Sequence, residues 1–141
     1  MLNFRWTERH AVFVPEIDAE HQSIYKLCGD SQRALASRAA GAQVHSLLSE
    51  LAVHCLEHFW HEERRMRATG YPFYPWHRQQ HQTARARMAG LQARIREGDR
   101  GAALELLQFL HGWLDQHIRI ADRMLGAHLR NRQREFALRA S

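Results

Sequence analysis

Apolar residues recur at steps of three and four positions through four successive segments of the chain, and this periodicity constrains the fold more than any other feature. The segments begin near Asp18, Val44, His77 and Ala103, with only short breaks between them. One face of an α-helix has this period. With 3 prolines and 8 glycines in 141 residues, long helices form more easily than a many-turned β structure. The pattern predicts an all-α protein, an antiparallel up-down-up-down four-helix bundle.

Residues 1–141 are predicted to form a single domain, with an N-terminal arm over 1–16 and a basic C-terminal extension over 126–141. Asp18 suits the N-cap of the first helix, and Gly70 suits the residue that follows the second. Aromatic residues are expected to anchor the arm against the bundle: Phe4, Trp6 and Phe13.

Charge and composition indicate a globular protein that does not require a membrane. The formal charge is +5, and nearly all positive residues are arginines scattered among glutamates. A solvated surface explains them better than nucleic-acid binding. The start lacks the apolar run of a signal peptide and no later run has membrane-spanning length, which predicts a cytoplasmic location. Cys28 and Cys55 are isolated and are predicted to be buried thiols.

Polar residues interrupt the middle of every apolar stripe. Among 11 histidines, those on the stripes accompany carboxylates, and together they form the candidate metal set: His21, His58, Glu62, His77, His81, His117 and Asp122. An imidazole or carboxylate buried alone in a bundle core costs several kcal/mol. At least one such residue on each of four helices, all at similar depth, predicts a shared metal centre.

The number and spacing of these residues favour two ions. His58 and Glu62 are four residues apart, a spacing that places two side chains on one helix face. A single zinc ion takes about four ligands, whereas two bridging carboxylates would leave five imidazoles to divide between two ions. Iron or manganese suits such a mixed nitrogen and oxygen set. The imidazole-rich balance favours reversible oxygen binding over oxygen activation.

Asp122 does not fit a regular helix. It lies five residues after His117, so an ideal helix would leave the two side chains roughly 140° apart. The stripe that contains His117 instead places Ala121 inward. A π-bulge between His117 and Asp122 is therefore predicted, a distortion that is frequent at functional sites.

The remaining histidines are assigned lesser roles. His54 precedes His58 by one turn and is interpreted as a hydrogen-bonded core residue, with support of a ligand or lining of the metal pocket as the alternatives. The others are predicted to lie on the surface or at stripe edges: His10, His45, His61, His111 and His128.

The sequence resembles the hemerythrin family from Trp6 to about Leu125. The motifs that carry the resemblance are Ile17–His21, His58–Met66, His77–His81 and Trp113–Asp122. The resemblance implies two non-haem iron ions with an oxo or hydroxo bridge, and O2 as a ligand.

The resemblance also implies a partition of the residues. One iron would be bound by His77, His81 and His117, the other by His21 and His58, with Glu62 and Asp122 bridging both. The oxygen pocket would be apolar, formed by Ile24, Phe59, Trp113, Leu114 and Ile118.

These observations predict reversible binding of molecular oxygen, without catalysis, for storage, transport or delivery to an oxygen-consuming enzyme. The alternatives are a di-iron oxidase, peroxidase or nitric-oxide-handling enzyme, or an oxygen or redox sensor. The sequence offers no positioned general acid or base apart from the candidate ligands, with His54 as the only reserve.

Overall fold

The computed structural model describes residues 1–140, and all regular secondary structure within them is helical, which confirms the predicted four-helix bundle. After a short 3-10 turn at Glu8–His10 come the helices α1 (Pro15–Ala36), α2 (Gly41–Ala68), α3 (Tyr74–Arg96) and α4 (Arg100–His117). A π-helical turn, Ile118–Asp122, joins α4 to α5 (Arg123–Ala140).

Short connections determine how the helices follow one another. Gly70 ends α2 with a φ of 64°, a conformation open to glycine because it has no Cβ. The Asp99 side chain caps α4 by accepting a hydrogen bond of 3.0 Å from the Gly101 N–H. Because the helices alternate in direction, the connection at 69–73 and the π-helical turn lie at one end of the bundle. The connections at 37–40 and 97–99 lie at the other end.

The predicted N-cap role of Asp18 is wrong. Helix α1 begins earlier, with Val14 at its N-cap and Pro15 at its first position, where a missing N–H has no cost. Asp18 therefore lies within the first turn. Its carboxylate accepts hydrogen bonds from the N–H groups of Val12 (2.8 Å) and Phe13 (3.1 Å), so it fastens the arm to the start of α1.

The arm packs across the bundle, although one predicted anchor does not take part. Phe4 and Trp6 pack against the core as expected. Phe13 does not, because its backbone has a φ of 62° and its side chain is 63% exposed. Its ring lies 5.6 Å from the Arg130 guanidinium. Phe13 therefore contacts α5 on the surface and is not an interior anchor.

The predicted C-terminal extension is part of a continuous helix. Gly126 is buried against the arm, and residues 127–130 are half-buried, whereas 131–140 are exposed. Ser141 lies outside the described residues. None of the helices in residues 1–140 is long and apolar enough to cross a lipid bilayer.

Replacing Gly126 with alanine is expected to destabilise the fold, because the added methyl group would collide with the Val12 carbonyl oxygen. Overpacking of this kind costs about 1–3 kcal/mol, measurable as a fall in the free energy of unfolding by urea. The control is Gly90→Ala in α3, where nothing lies within 4 Å of an added Cβ; it should stabilise by up to about 1 kcal/mol. Equal effects of both substitutions would contradict this packing.

Candidate metal centre

The structure brings all seven residues of the candidate metal set together at one end of the bundle core. Their donor atoms fall into two overlapping groups, each with atoms within 4.8 Å of one another. All seven side chains are buried, the most exposed being His117 at 4%. The two groups share Glu62 and Asp122.

The first group contains the three histidines of the second half of the bundle. His77 Nε2 lies 3.1 Å from Asp122 Oδ1, and His117 Nε2 lies 2.9 Å from the same oxygen. Glu62 Oε1 is 3.2 Å from His77 Nε2 and 3.1 Å from His81 Nε2. One oxygen of each carboxylate therefore faces this group.

The second group uses the other oxygen of each carboxylate. His58 Nε2 lies 3.0 Å from Glu62 Oε2, and His21 Nε2 lies 2.9 Å from Asp122 Oδ2. The two imidazoles are themselves 2.9 Å apart between Nε2 atoms. Each carboxylate is thus placed to serve two ions, one on each oxygen.

The donor set fits metal ions better than a network of hydrogen bonds. Glu62 Oε2 and both oxygens of Asp122 are buried without a hydrogen-bond partner, although imidazole nitrogens lie 2.9–3.1 Å away. Adjacent donor atoms around an octahedral ion with bonds of about 2.1 Å are about 3.0 Å apart. The observed spacings are of this size, so the atoms surround common points.

The π-helical turn explains how Asp122 reaches the centre. Residues Ile118–Asp122 form it, which confirms the bulge predicted from the phase of the helix. The wider turn leaves both Ala121 and Asp122 fully buried, while Ile120 is 51% exposed. One added residue per turn therefore rotates the carboxylate inward without ending the helix.

The charges in this cluster are strongly coupled. Burial opposes ionisation of Glu62, yet the surrounding imidazoles, His58 foremost, hold the pKa of this carboxyl well below its usual range. Burial also disfavours a charged His58, but the negative charges of Glu62 and Glu20 raise its pKa to about 10. For His77, Asp122 and Glu62 outweigh burial and raise the pKa to about 9. Two ionised carboxylates in a dry core thus create a strong demand for positive charge, which bound cations would meet.

Three side chains outside the candidate metal set orient the imidazoles, and the sequence analysis missed them. Glu20 Oε1 lies 3.2 Å from His58 Nδ1, and Glu63 Oε2 lies 2.7 Å from His81 Nδ1. Gln80 Oε1 lies 2.8 Å from His117 Nδ1. Such partners fix the ring orientation and raise the basicity of the metal-facing nitrogen.

A common pattern in the sequence could have indicated these three partners. Each stands directly beside a member of the candidate metal set on one helix and supports a histidine on the next helix. His21 and His77 differ, because their Nδ1 atoms are buried without a partner.

An apolar wall surrounds the imidazoles. The Phe59 ring stacks on His81 at 4.4 Å and 16°, and the Trp113 ring stacks on His117 at 4.3 Å and 12°. Trp113 is half-buried and the other members of the predicted oxygen pocket are buried: Ile24, Phe59, Leu114 and Ile118.

The other histidines lie outside the two donor groups. His54 is half-buried, on the α2 stripe. His10 bonds to Asp115 at 3.0 Å, and half-buried His61 bonds to Glu20 at 2.5 Å. His128 Nε2 lies 3.0 Å from the Thr69 hydroxyl. These contacts agree with roles at the edge of the bundle.

A buried cluster of imidazoles and shared carboxylates within four helices defines a metal-binding bundle protein. Comparison of sequences narrows the class. Residues 12–129 match the hemerythrin HHE cation-binding domain, so the chain belongs to the hemerythrin family.

Individual relatives of this chain are also hemerythrins. The chain is 27% identical over 132 residues to a bacteriohemerythrin of Stenotrophomonas maltophilia, an overlap of 94% of this chain and 85% of that protein. It is 30% identical over 117 residues to myohemerythrin-1 of Phascolopsis gouldii, an overlap of 83% and 87%. A bacteriohemerythrin of Ralstonia nicotianae is 28% identical over 128 residues, which cover 91% of this chain and 90% of that protein.

Glu63→Gln is expected to weaken metal binding, because His81 would lose an ionised acceptor on its outer nitrogen. Loss of such a partner typically lowers metal affinity about 10–100-fold, which competition with a chelator would measure. Glu57→Gln is the matched control on an exposed face of the same helix. Equal metal affinities for the two variants would contradict the role assigned to Glu63.

Proposed function

We propose that this protein binds molecular oxygen reversibly at a non-haem di-iron centre with an oxo or hydroxo bridge, for oxygen storage, transport or delivery. The role of the protein is to bind oxygen and to protect the iron from irreversible oxidation, without catalysis. When bound, the two ferrous ions supply the electrons on which oxygen binding depends. The observation that carries the proposal is the pair of donor groups sharing Glu62 and Asp122.

The proposed partition of ligands follows the two groups. His77, His81 and His117 hold one iron, and His21 and His58 hold the other. Because the carboxylates are shared, His21 and His58 would give the second ion one protein ligand fewer than the first, which would favour the addition of a small molecule there. The myohemerythrin and bacteriohemerythrin relatives support a di-iron oxygen-binding domain at the level of the family.

The apolar wall suits oxygen binding. Ile24, Leu114 and Ile118 are each 1% exposed, and the Phe59 and Trp113 rings meet at 5.3 Å. Oxygen is small and apolar, so it passes between such apolar side chains more easily than a proton or an anion does. Exclusion of water and protons slows irreversible oxidation of the iron. The proposed oxygen pocket is therefore Ile24, Phe59, Trp113, Leu114 and Ile118.

The decisive experiment is repeated oxygenation. The iron-loaded protein is reduced without oxygen, exposed to oxygen and then purged, while its visible charge-transfer bands are recorded. Bands that appear and disappear over many cycles are expected. A single irreversible conversion, sustained consumption of a reductant, or a metal content of about one zinc without iron would contradict the proposal.

Ile118→Thr is expected to accelerate autoxidation several-fold, because the hydroxyl would bring a hydrogen-bonding group and water into the wall. Ile120→Thr provides the same substitution within the same π-helical turn at a 51% exposed position. The rate of loss of the oxygenated spectrum would be compared at equal iron content. If Ile118→Thr decays no faster than Ile120→Thr, the wall does not protect the centre.

A further inference from the structure

Tyr71 is a buried phenol at the metal-binding end of the bundle whose hydroxyl has no partner. The residue is 6% exposed, and its hydroxyl oxygen is buried without a hydrogen bond. A buried polar group without a partner is costly, so most such groups in proteins are hydrogen-bonded. Because Tyr71 lies at the metal-binding end, its hydroxyl is available to a partner that arrives when the centre is loaded.

The end of helix α2 determines where Tyr71 lies. Gly70 takes a positive φ of 64°, and the Tyr71 N–H then bonds back to the Met66 carbonyl at 2.9 Å. This is the Schellman arrangement, in which the residue after the glycine turns back toward the helix. The chain therefore directs Tyr71 into the core, whereas Phe73, two residues later, is 51% exposed.

Two rings hold Tyr71 in place beside the centre. Its ring lies 6.4 Å from that of His77 at 73°, and 4.8 Å from that of His128. His128 is itself fixed by its bond to the Thr69 hydroxyl. Tyr71 is thus clamped between a candidate ligand and α5, with little freedom to find another partner.

Tyr71 contacts the same imidazole that the two shared carboxylates contact. His77 Nε2 lies 3.1 Å from Asp122 Oδ1 and 3.2 Å from Glu62 Oε1. A phenol hydroxyl is a hydrogen-bond donor toward anionic oxygen. Both oxygens of Asp122 are without hydrogen-bond partners, and a carboxylate oxygen can bind a cation and still accept a hydrogen bond.

We propose that the Tyr71 hydroxyl donates a hydrogen bond, directly or through one water, to the carboxylate oxygens that Asp122 and Glu62 offer to the two ions. It is a positioning residue that sets the balance between oxidised and reduced metal. This inference rests on the proposed di-iron function. A donor to an anionic ligand withdraws electron density from it, so the ligand stabilises ferric iron less strongly. Tyr71 therefore favours the reduced form that binds oxygen.

The test compares two tyrosines in the same fold. Tyr71→Phe deletes the proposed donor, and Tyr25→Phe is the matched control. Tyr25 is also buried, at 4% exposed, and its hydroxyl also lacks a partner. The Tyr25 ring, however, contacts that of His10 at 5.2 Å, and His10 is not a member of the candidate metal set.

The readouts are the midpoint potential of the iron in a redox titration and the rate of iron release to a chelator. Circular dichroism and iron content establish that each variant is folded and loaded. Tyr71→Phe should raise the ratio of oxidised to reduced iron by on the order of tenfold at a fixed potential. This corresponds to a fall of about 59 mV in the midpoint potential of a one-electron couple. Tyr25→Phe should leave both readouts at the wild-type value.

A second substitution tests the sign of the effect without removing the hydroxyl. Ring-fluorinated tyrosine at position 71 is a more acidic and stronger donor of nearly the same size, so it should raise the midpoint potential. Equal potentials for Tyr71→Phe and Tyr25→Phe, or shifts of the same sign for phenylalanine and fluorotyrosine, would overturn the inference. Wild-type protein that holds no iron would overturn the proposed function and this inference together; two irons with no effect at Tyr71 would overturn the inference alone.

Discussion

The negative charge of Glu62 and Asp122 in the dry interior is the constraint on which the rest of the structure depends. Two ionised carboxylates without water or cations would be strongly destabilising. Five imidazoles face them, but imidazoles neutralise this charge only by taking up protons or by sharing metal ions. The bundle is therefore organised around the demand for positive charge at one end, and its other half is an ordinary apolar core.

The geometry of α4 follows from the same constraint. A regular helix would bury Ala121 on the stripe of His117 and turn Asp122 aside. The π-helical turn keeps both residues buried, since the centre requires the carboxylate and the core requires the small apolar residue. The π-helical backbone is locally less favourable than a regular α-helix, but it is retained here because it brings the Asp122 carboxylate to the imidazoles.

Much of this arrangement could be predicted from the sequence. Periodicity indicates the helices, and polar residues inside the apolar stripes identify the candidate metal set, because a buried polar residue is conspicuous against an apolar pattern. The phase of Asp122 relative to His117 predicts the π-bulge by arithmetic alone.

What could not be predicted depends on contacts between helices. Glu20, Glu63 and Gln80 stand beside members of the candidate metal set in sequence, which makes them candidates. Only the rotation of one helix against the next shows that they reach an imidazole. The start of α1 shifted for a similar reason: the Asp18 carboxylate serves the N–H groups of the arm, a non-local bond that local capping preferences do not reveal. Phe13 is exposed because a strained backbone turns it outward, and no apolar pattern encodes that torsion.

The outer partners of the imidazoles also have an order along the chain. Glu20 on α1 supports His58 on α2, Glu63 on α2 supports His81 on α3, and Gln80 on α3 supports His117 on α4. Helices α1, α2 and α3 thus each carry a group that orients one imidazole of the next helix. His21 on α1 has no preceding helix, and its outer nitrogen has no partner, as is also true of His77. During synthesis from the N-terminus, α2, α3 and α4 each meet a neighbour that already holds the group that aligns one of their imidazoles, so assembly of the site can proceed in the direction in which the chain emerges.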